Sequence, residues 1–345
     1  MDIGDTIKNH SGGKNLKYIN DTIPGITRLR TKNGFTFYDP NGVKISNENI
    51  LLRVKNLGIP PAWEEVWICP YTHGHIQATG IDSKKRKQYI YHEVWEEMQK
   101  QNKFDKVTFF GRSLPKIRRR IRQDINSRGL GKNKVVATVV WLLEHTFVRV
   151  GNDEYAKDNN SFGLTTLRNK HVKVKGSQVR FEFAGKSGVH HLVDISHPKI
   201  RRVIKRCIEL PGYELFQCVD DETGKHAVDS SDVNGYLQDT TGEDISAKDF
   251  RTWGGTFLSA VTLNKMGDQE SKNRLKQNIS ETIKEVAKHL RNTPAICKNY
   301  YIHPEVLRKY EEKELIAHFA NSQAIKRDLS RNELGLIRLL EKYAG

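Results

Sequence analysis

Residues 171–193 read HVKVKGSQVRFEFAGKSGVHHLV. His171-Val172-Lys173-Val174 alternates, Gly176-Ser177 interrupts it, and Val179-Arg180-Phe181-Glu182-Phe183 alternates again. Gly185-Lys186-Ser187-Gly188 turns the chain once more, and Val189 to Val193 returns. Period-two alternation broken by glycine-bearing turns predicts a three-stranded antiparallel meander. It sets Lys186 at a hairpin tip between glycines. A lysine at a turn is ordinarily only a solvated residue, so its meaning depends on what the flanking sequence brings to it.

Upstream, Val135 to Val148 is apolar almost throughout and predicts a buried helix. It ends at Arg149-Val150-Gly151-Asn152, which mounts a guanidinium where a rigid helix meets a glycine turn. Asp158 to Gly163 reads as a loop. Downstream, Pro198 to Leu210 reads as a helix with Arg and Lys on its polar side. Ser231 to Leu237 is another, capped by Ser231 or Asp232. The run Asp244 to Gly255 enters a third, with Arg251 near its start. Arginine beside the backbone N–H groups of a helix start makes a phosphate-binding corner. A surface pair with Asp249 or Glu243 is the plainer alternative. Leu275 to Leu290 is amphipathic, with Ile279, Ile283, Val286 and Leu290 on one stripe. It delivers Asn292, a Thr293-Pro294 break and the adjacent Tyr300 and Tyr301. Two terminal helices, Pro304 to Asn321 and Asn332 to Tyr343, close the chain.

A tyrosine hydroxyl, with an ordinary pKa of ~10, attacks phosphorus only where cations stabilise the phenolate and the phosphoryl oxygens. Arg149, Lys186 and Arg251 are candidates for those cations. Composition agrees with a polyanionic partner: the 345 residues carry a net charge of +16 and a pI near 9.5. Cys69, Cys207, Cys218 and Cys297 form no C-x-x-C pair and have no histidines at metal spacing. A zinc site is therefore not expected, and reduced thiols are. No apolar leader and no membrane-length apolar run is seen, so a soluble intracellular chain is expected.

The first 24 residues lack periodicity and read as a loose arm. Ile26 to Thr31, an Asn33-Gly34 turn and Phe35 to Tyr38 predict a hairpin. A short helix from Asn47 to Val54 and strands at Trp63 to Cys69, His75 to Gly80 and Gln88 to Tyr91 follow. Lys84-Lys85-Arg86-Lys87 is a basic turn, read as a nuclear signal, a solvated loop, or a phosphate-holding element. In the last reading Gln88, Tyr89 and Tyr91 on the emerging strand face base edges and sugars. His92 to Phe104 reads as a linker helix. Ser113 is expected to cap a new helix with Pro115 in its first turn. On that helix Ile117, Ile121 and Ile125 face inward, while Arg118, Arg119, Arg120 and Arg122 are offered to phosphates. These patterns give an α+β chain: a β-rich domain over residues 1–91 and a mainly helical domain over 92–345.

The ordered motifs Ile59-Pro60-Pro61-Ala62-Trp63, Gln88-Tyr89-Ile90-Tyr91, Arg149-Val150-Gly151-Asn152, Phe183-Ala184-Gly185-Lys186, Arg251 and Asn292-Thr293-Pro294 to Tyr301 together resemble the type IB DNA topoisomerases, in their compact poxvirus-like and bacterial branch. The resemblance implies that Arg149, Lys186, Arg251 and Asn292 surround a scissile phosphate. It implies that the tyrosine nine positions past Asn292, Tyr301, attacks to form a 3′-phosphotyrosyl bond. Arg149 and Arg251 would clamp the nonbridging oxygens, Asn292 would bond one of them, and Lys186 would protonate the 5′-oxygen, assisted by Arg149. Asn292 departs from the poxvirus-like histidine and matches the bacterial branch, so a nucleoid-associated cytoplasmic enzyme is implied. The partner implied is double-stranded DNA, gripped by a monomeric clamp and relaxed in either supercoil sign, with neither ATP nor metal. Tyrosine recombinases share this chemistry but are expected to have a helical N-terminal domain. A non-enzymatic basic DNA-binding protein is the alternative of a different class.

Overall fold

A computed structural model describes residues 6–7, 16–220, 224–320 and 328–342. The chain divides into two compact units, residues 1–103 and residues 104–345. In the first, β1 (Thr6–Ile7) pairs with β2 (Leu16–Lys17). A five-stranded antiparallel sheet follows, built from β3 (Ile26–Thr31), β4 (Gly34–Tyr38), β5 (Glu64–Ile68), β6 (Ile76–Ile81) and β7 (Lys87–Tyr91) in the order β4-β3-β5-β6-β7. Helix α1 (Glu48–Asn56) is capped by Asn47, whose side chain accepts from Asn49 and Ile50 N–H. Ile26, Val54, Val66, Ile68 and Ala78 make the core.

Two expectations for this unit need correction. Thr31 pairs with Gly34, so Lys32 and Asn33 are the hairpin's turn residues and Gly34, at φ 131°, begins the return strand. From residue 16 the N-terminal segment is anchored rather than loose. Leu16 and Ile19 are buried, Ile19 N–H donates to His75 Nδ1 (3.0 Å), and Tyr18 stacks on His75 (4.1 Å). Residues 1–5 and 8–15 of the expected arm lie outside the described residues.

The 33-residue helix α2 (Glu93–Ile125) begins in the first unit and continues into the second. It runs through Ser113 and Pro115, so Ser113 caps nothing. Proline mid-helix loses a hydrogen bond and costs about 3 kcal/mol. Against that, Phe104, Val107, Phe110, Leu114, Ile117, Ile121 and Ile125 are all buried along one continuous stripe. Breaking the helix at Ser113 would sacrifice that alignment, and burial of several side chains at ~1.5–3 kcal/mol each outweighs the proline.

In the second unit, α3 (Lys132–Thr146) is the central helix, with Val135, Val139, Val140, Leu142 and Leu143 fully buried. Helix α4 (Asp153–Asn159) reaches into the first two residues of the expected Asp158–Gly163 loop. The meander forms as expected, β8 (Val172–Lys175), β9 (Gln178–Ala184) and β10 (His190–Ile195) in the order β10-β9-β8. After α5 (Pro198–Glu209) comes a hairpin the sequence reading missed, β11 (Gln217–Asp220) and β12 (Gly224–Ala227). Helix α6 (Ser230–Thr241) is capped by Asp229, not by Ser231 or Asp232. Then come α7 (Asp249–Met266), α8 (Lys272–Leu290) and α9 (Pro294–Tyr300). The penultimate helix splits into α10 (Pro304–Glu311) and α11 (Leu315–Ala320), with Lys313 left-handed at φ 60° between them. Helix α12 (Arg331–Lys342) ends the described chain, which holds no helix long and apolar enough to cross a membrane.

Candidate active site

The proposed catalytic side chains are mounted at or next to the ends of regular elements. Helix α3 ends at Phe147, left-handed at φ 52°, and Arg149 follows at once. Gly151, at φ 117°, turns the chain so that Leu164 N–H donates to Arg149 O (2.9 Å) and Thr165 N–H to Val150 O (2.7 Å). Arg251, in the first turn of α7, is only 3% exposed. Its Nη1 donates to Phe147 O and its Nη2 to Leu290 O (2.8 Å). One guanidinium thus ties the end of α3 to the end of α8. The expected alternative, a surface pair with Asp249 or Glu243, is not what it makes.

Helix α8 stops at Arg291, left-handed at φ 49°, whose Nη2 donates to Leu192 O of β10 (2.7 Å). Asn292 comes next, and its Oδ1 accepts from Arg149 Nη2 (3.1 Å). Its buried Nδ2 has no partner among the described residues, and neither does Arg251 Nε. Thr293 caps α9 by accepting from Ile296 N–H (3.3 Å), with Pro294 in the first turn.

Tyr301 is the residue on which α9 ends. Thr256 Oγ1 donates to Tyr301 O (3.2 Å) and accepts from His303 N–H (3.1 Å), clamping the backbone on both sides. A Cβ on Gly255 would fall 2.5 Å from Tyr301 O, so only glycine lets α7 come this close. The Arg251 guanidinium lies 5.0 Å from the Tyr301 ring centre. Burial pushes the phenol's pKa up, but Arg251 and then Arg149, by charge and hydrogen bonding, bring it below the ordinary tyrosine value. Tyr300 is 46% exposed. One turn before Tyr301, burial pushes the Cys297 thiol up to about 11 despite the pull of Arg251 and Arg149, so it stays protonated at neutral pH.

A cavity of about 350 Å³ brings Arg149, Lys186, Arg251 and Tyr301 together, joined by Asn152 and Lys248. Lys186 reaches it from a single 3-10 turn, Lys186–Gly188, between β9 and β10. Lys248 was missed because a lysine just before a helix reads as ordinary surface. Its spacing of one turn from Arg251 was the available signal. Thr256 left no signal, since its grip on the Tyr301 backbone depends on segments distant in sequence.

The expected DNA-contacting residues divide by how their charge is used. Lys85 pairs with Glu64 (2.7 Å), Arg86 with Asp82 (2.6 Å) and Lys87 with Asp21 (2.6 Å), while Lys84 is exposed. On β7, Lys87, Tyr89 and Tyr91 share the exposed face, with the two tyrosines stacked at 5.9 Å. Gln88 falls on the other face and donates to Asp82 Oδ2 (3.0 Å). On α2, Arg119 is exposed and Arg122 pairs with Asp328 (2.8 Å). Arg118 turns inward, bonded to Glu144 (2.7 Å) and Glu333 (2.6 Å). Two carboxylates neutralise it, which turns it away from the phosphate contact expected of it. Among the described residues no group of three or more His, Cys, Asp or Glu side chains is disposed to hold a metal ion.

Comparison with known proteins adds an independent observation. The family profile described as "Eukaryotic DNA topoisomerase I, catalytic core" matches residues 83–328, and "Bacterial DNA topoisomerase IB, N-terminal domain" matches residues 34–82. The chain is 32% identical over 331 residues to DNA topoisomerase 1B of Acanthamoeba polyphaga mimivirus, covering 93% of this chain and 96% of that one. It is 26% identical over 300 residues to DNA topoisomerase 1B of Vaccinia virus (strain Copenhagen), covering 83% and 90%. With DNA topoisomerase 1 of Schizosaccharomyces pombe the match is 26% over 169 residues, or 48% of this chain and 19% of that one.

Proposed function

The chain belongs to the type IB DNA topoisomerases, isomerases that act on DNA topology, and from that membership we propose how its own residues carry out the reaction. Tyr301 Oη attacks a backbone phosphorus of duplex DNA. The bond from phosphorus to the 5′-oxygen breaks, and the cut strand is held as a 3′-phosphotyrosyl ester. The phenol gives up its proton in an environment where Arg251 and Arg149 favour the phenolate. Lys186, exposed at the hairpin tip, gives a proton to the departing 5′-oxygen.

The same two arginines neutralise the nonbridging oxygens, and Asn292 Nδ2 donates to one of them. The observation carrying this reading is the convergence of Arg149, Arg251, Lys186 and Tyr301 on one cavity, beside an Asn292 donor with no partner among the described residues. A buried donor left unpaired costs about 1–3 kcal/mol, a cost that a phosphate oxygen would remove.

One phosphodiester is exchanged for another, so no nucleotide is consumed and the reverse reaction reseals the strand. Rotation of the cut strand about its intact partner is indifferent to the sign of the supercoil. The cation set supplies the charge stabilisation that a metal would otherwise provide. Lys84, Arg119, Tyr89 and Tyr91 are exposed among the expected DNA contacts, with the β-rich domain (1–91) and the helical domain (92–345) both engaging duplex. All five proposed catalytic residues come from one chain, which supports action as a monomer.

The test is relaxation of positively and negatively supercoiled plasmid in EDTA without ATP, with covalent adducts trapped by denaturant. Wild type and Tyr300→Phe should relax both and form adduct, and Tyr301→Phe should do neither. Adduct from Tyr301→Phe, or its loss in Tyr300→Phe alone, would transfer the nucleophile to Tyr300.

A further inference from the structure

Beneath the Lys186 hairpin lies a histidine that no step above uses. His191 sits on β10 opposite Phe183 of β9 and is 2% exposed. Its ring stacks on Phe183 with centres 4.7 Å apart and 18° between planes. Phe183 lies 6.5 Å from His171, and His171 lies 4.4 Å from Phe162, so a column of four rings ends under the hairpin. Neither ring nitrogen of His191 has a hydrogen-bond partner among the described residues. Burial, then the charges of Arg291, Arg149 and Arg251, push its pKa down to about 4, so the ring is neutral in ordinary buffers.

What the ring touches is the residue that opens the turn. A Cβ built on Gly185 would fall 2.6 Å from His191 Nε2. The backbone of Gly185, at φ −96° and ψ −164°, is extended and open to any residue. The histidine, not the turn, is therefore what demands glycine there. Gly185 is also held by its own peptide groups, N–H to Val189 O (2.8 Å) and C=O from Gly188 N–H (3.0 Å). Next along β10, Leu192 O accepts from Arg291, the neighbour of Asn292. This short strand therefore braces both the lysine hairpin and the asparagine turn.

We propose that His191 is a positioning residue for Lys186: its ring, braced by Phe183, fixes Gly185 and so aims the lysine at the leaving 5′-oxygen. The inference rests on the reading of Lys186 as the general acid. A misplacement of about 1 Å can cost ~10²-fold in rate, which a hairpin tip packed on this ring is exposed to.

The experiment is single-turnover cleavage of ordinary DNA and of DNA with sulfur at the bridging 5′ position. A thiolate, with a thiol pKa of ~8.5, leaves without the proton that an alkoxide needs. His191→Ala should cleave ordinary DNA at least ~10-fold more slowly, yet cleave the sulfur substrate within ~3-fold of wild type and bind DNA normally. Gly185→Ala should show the same pattern, because its methyl displaces the ring. Added to His191→Ala, it should cost less than ~3-fold more, since contacting residues are not additive.

An equal deficit on both substrates, wild-type cleavage of ordinary DNA, or fully multiplicative effects of the two substitutions would overturn the proposal. Where His191→Ala does not fold, Gly185→Ala on the two substrates decides alone. Lys186→Ala separates the two levels of inference. If sulfur rescues it but not His191→Ala, only the positioning role falls. If sulfur fails to rescue Lys186→Ala, the acid assignment falls and the positioning role with it.

Discussion

Asn292 uses its two polar atoms differently. Oδ1 accepts from Arg149, 143 positions away, while Nδ2 is buried without a partner among the described residues. The arginine thereby orients the amide, and in the proposed reaction the donor is left for a phosphate oxygen. Asn292→Ala should slow single-turnover cleavage by ~10²-fold, the usual cost of one oxyanion donor, with DNA binding nearly unchanged. A rate within threefold of wild type would mean that Nδ2 is not aimed at the phosphate. The two tyrosines are told apart at the same scale. Tyr301 and Tyr300 are equivalent as residue types; Arg251 at 5.0 Å from the Tyr301 ring, with the phenol's pKa lowered, against 46% exposure of Tyr300, distinguishes them physically.

At the scale of elements, α2 shows how local signals mislead. Serine, then proline two residues on, is a good helix start, yet the buried stripe from Phe104 to Ile125 carries the helix straight through. The same helix shows four arginines in five positions, which reads as a phosphate-binding face. Which of them points outward depends on partners brought from α3 and α12. Arg118 meets Glu144 and Glu333, the latter buried. Burial opposes the charge on Arg118, but the two carboxylates more than offset it and raise the guanidinium's pKa. Arg118→Ala should destabilise the fold by about 3 kcal/mol by stranding a buried carboxylate, read as a lowered denaturation midpoint. The folded fraction should retain the wild-type salt dependence of DNA binding. Unchanged stability with a flatter salt dependence would restore Arg118 as a phosphate contact.

For the whole molecule the governing quantity is the charge of +16. Binding that neutralises several phosphates releases counterions, so log K should fall against log salt with a slope of several units, nearly parallel for unrelated duplexes. Arg119→Ala should reduce that slope by about 1, uniformly across sequences. Strong discrimination among duplexes that persists at every salt concentration would instead place base readout at Tyr89 and Tyr91 in charge of binding. The turn before them contributes less charge than its composition suggests, because Lys85, Arg86 and Lys87 each have a carboxylate partner.

The sequence by itself determined the α+β class, the hairpin that carries Lys186, the helix that ends at Arg149 and the one that delivers Asn292. Those features are written in local periodicity and turn chemistry, which a few neighbouring residues decide. The tertiary structure alone decided which charges are available and which way the site's polar atoms face. Arg118 closing on Glu333, Arg251 spanning Phe147 and Leu290, Thr256 gripping the Tyr301 backbone and His191 under Gly185 all join segments far apart in the chain. Pairing and desolvation set the electrostatics of a side chain, and both depend on neighbours that only folding brings within a few ångströms.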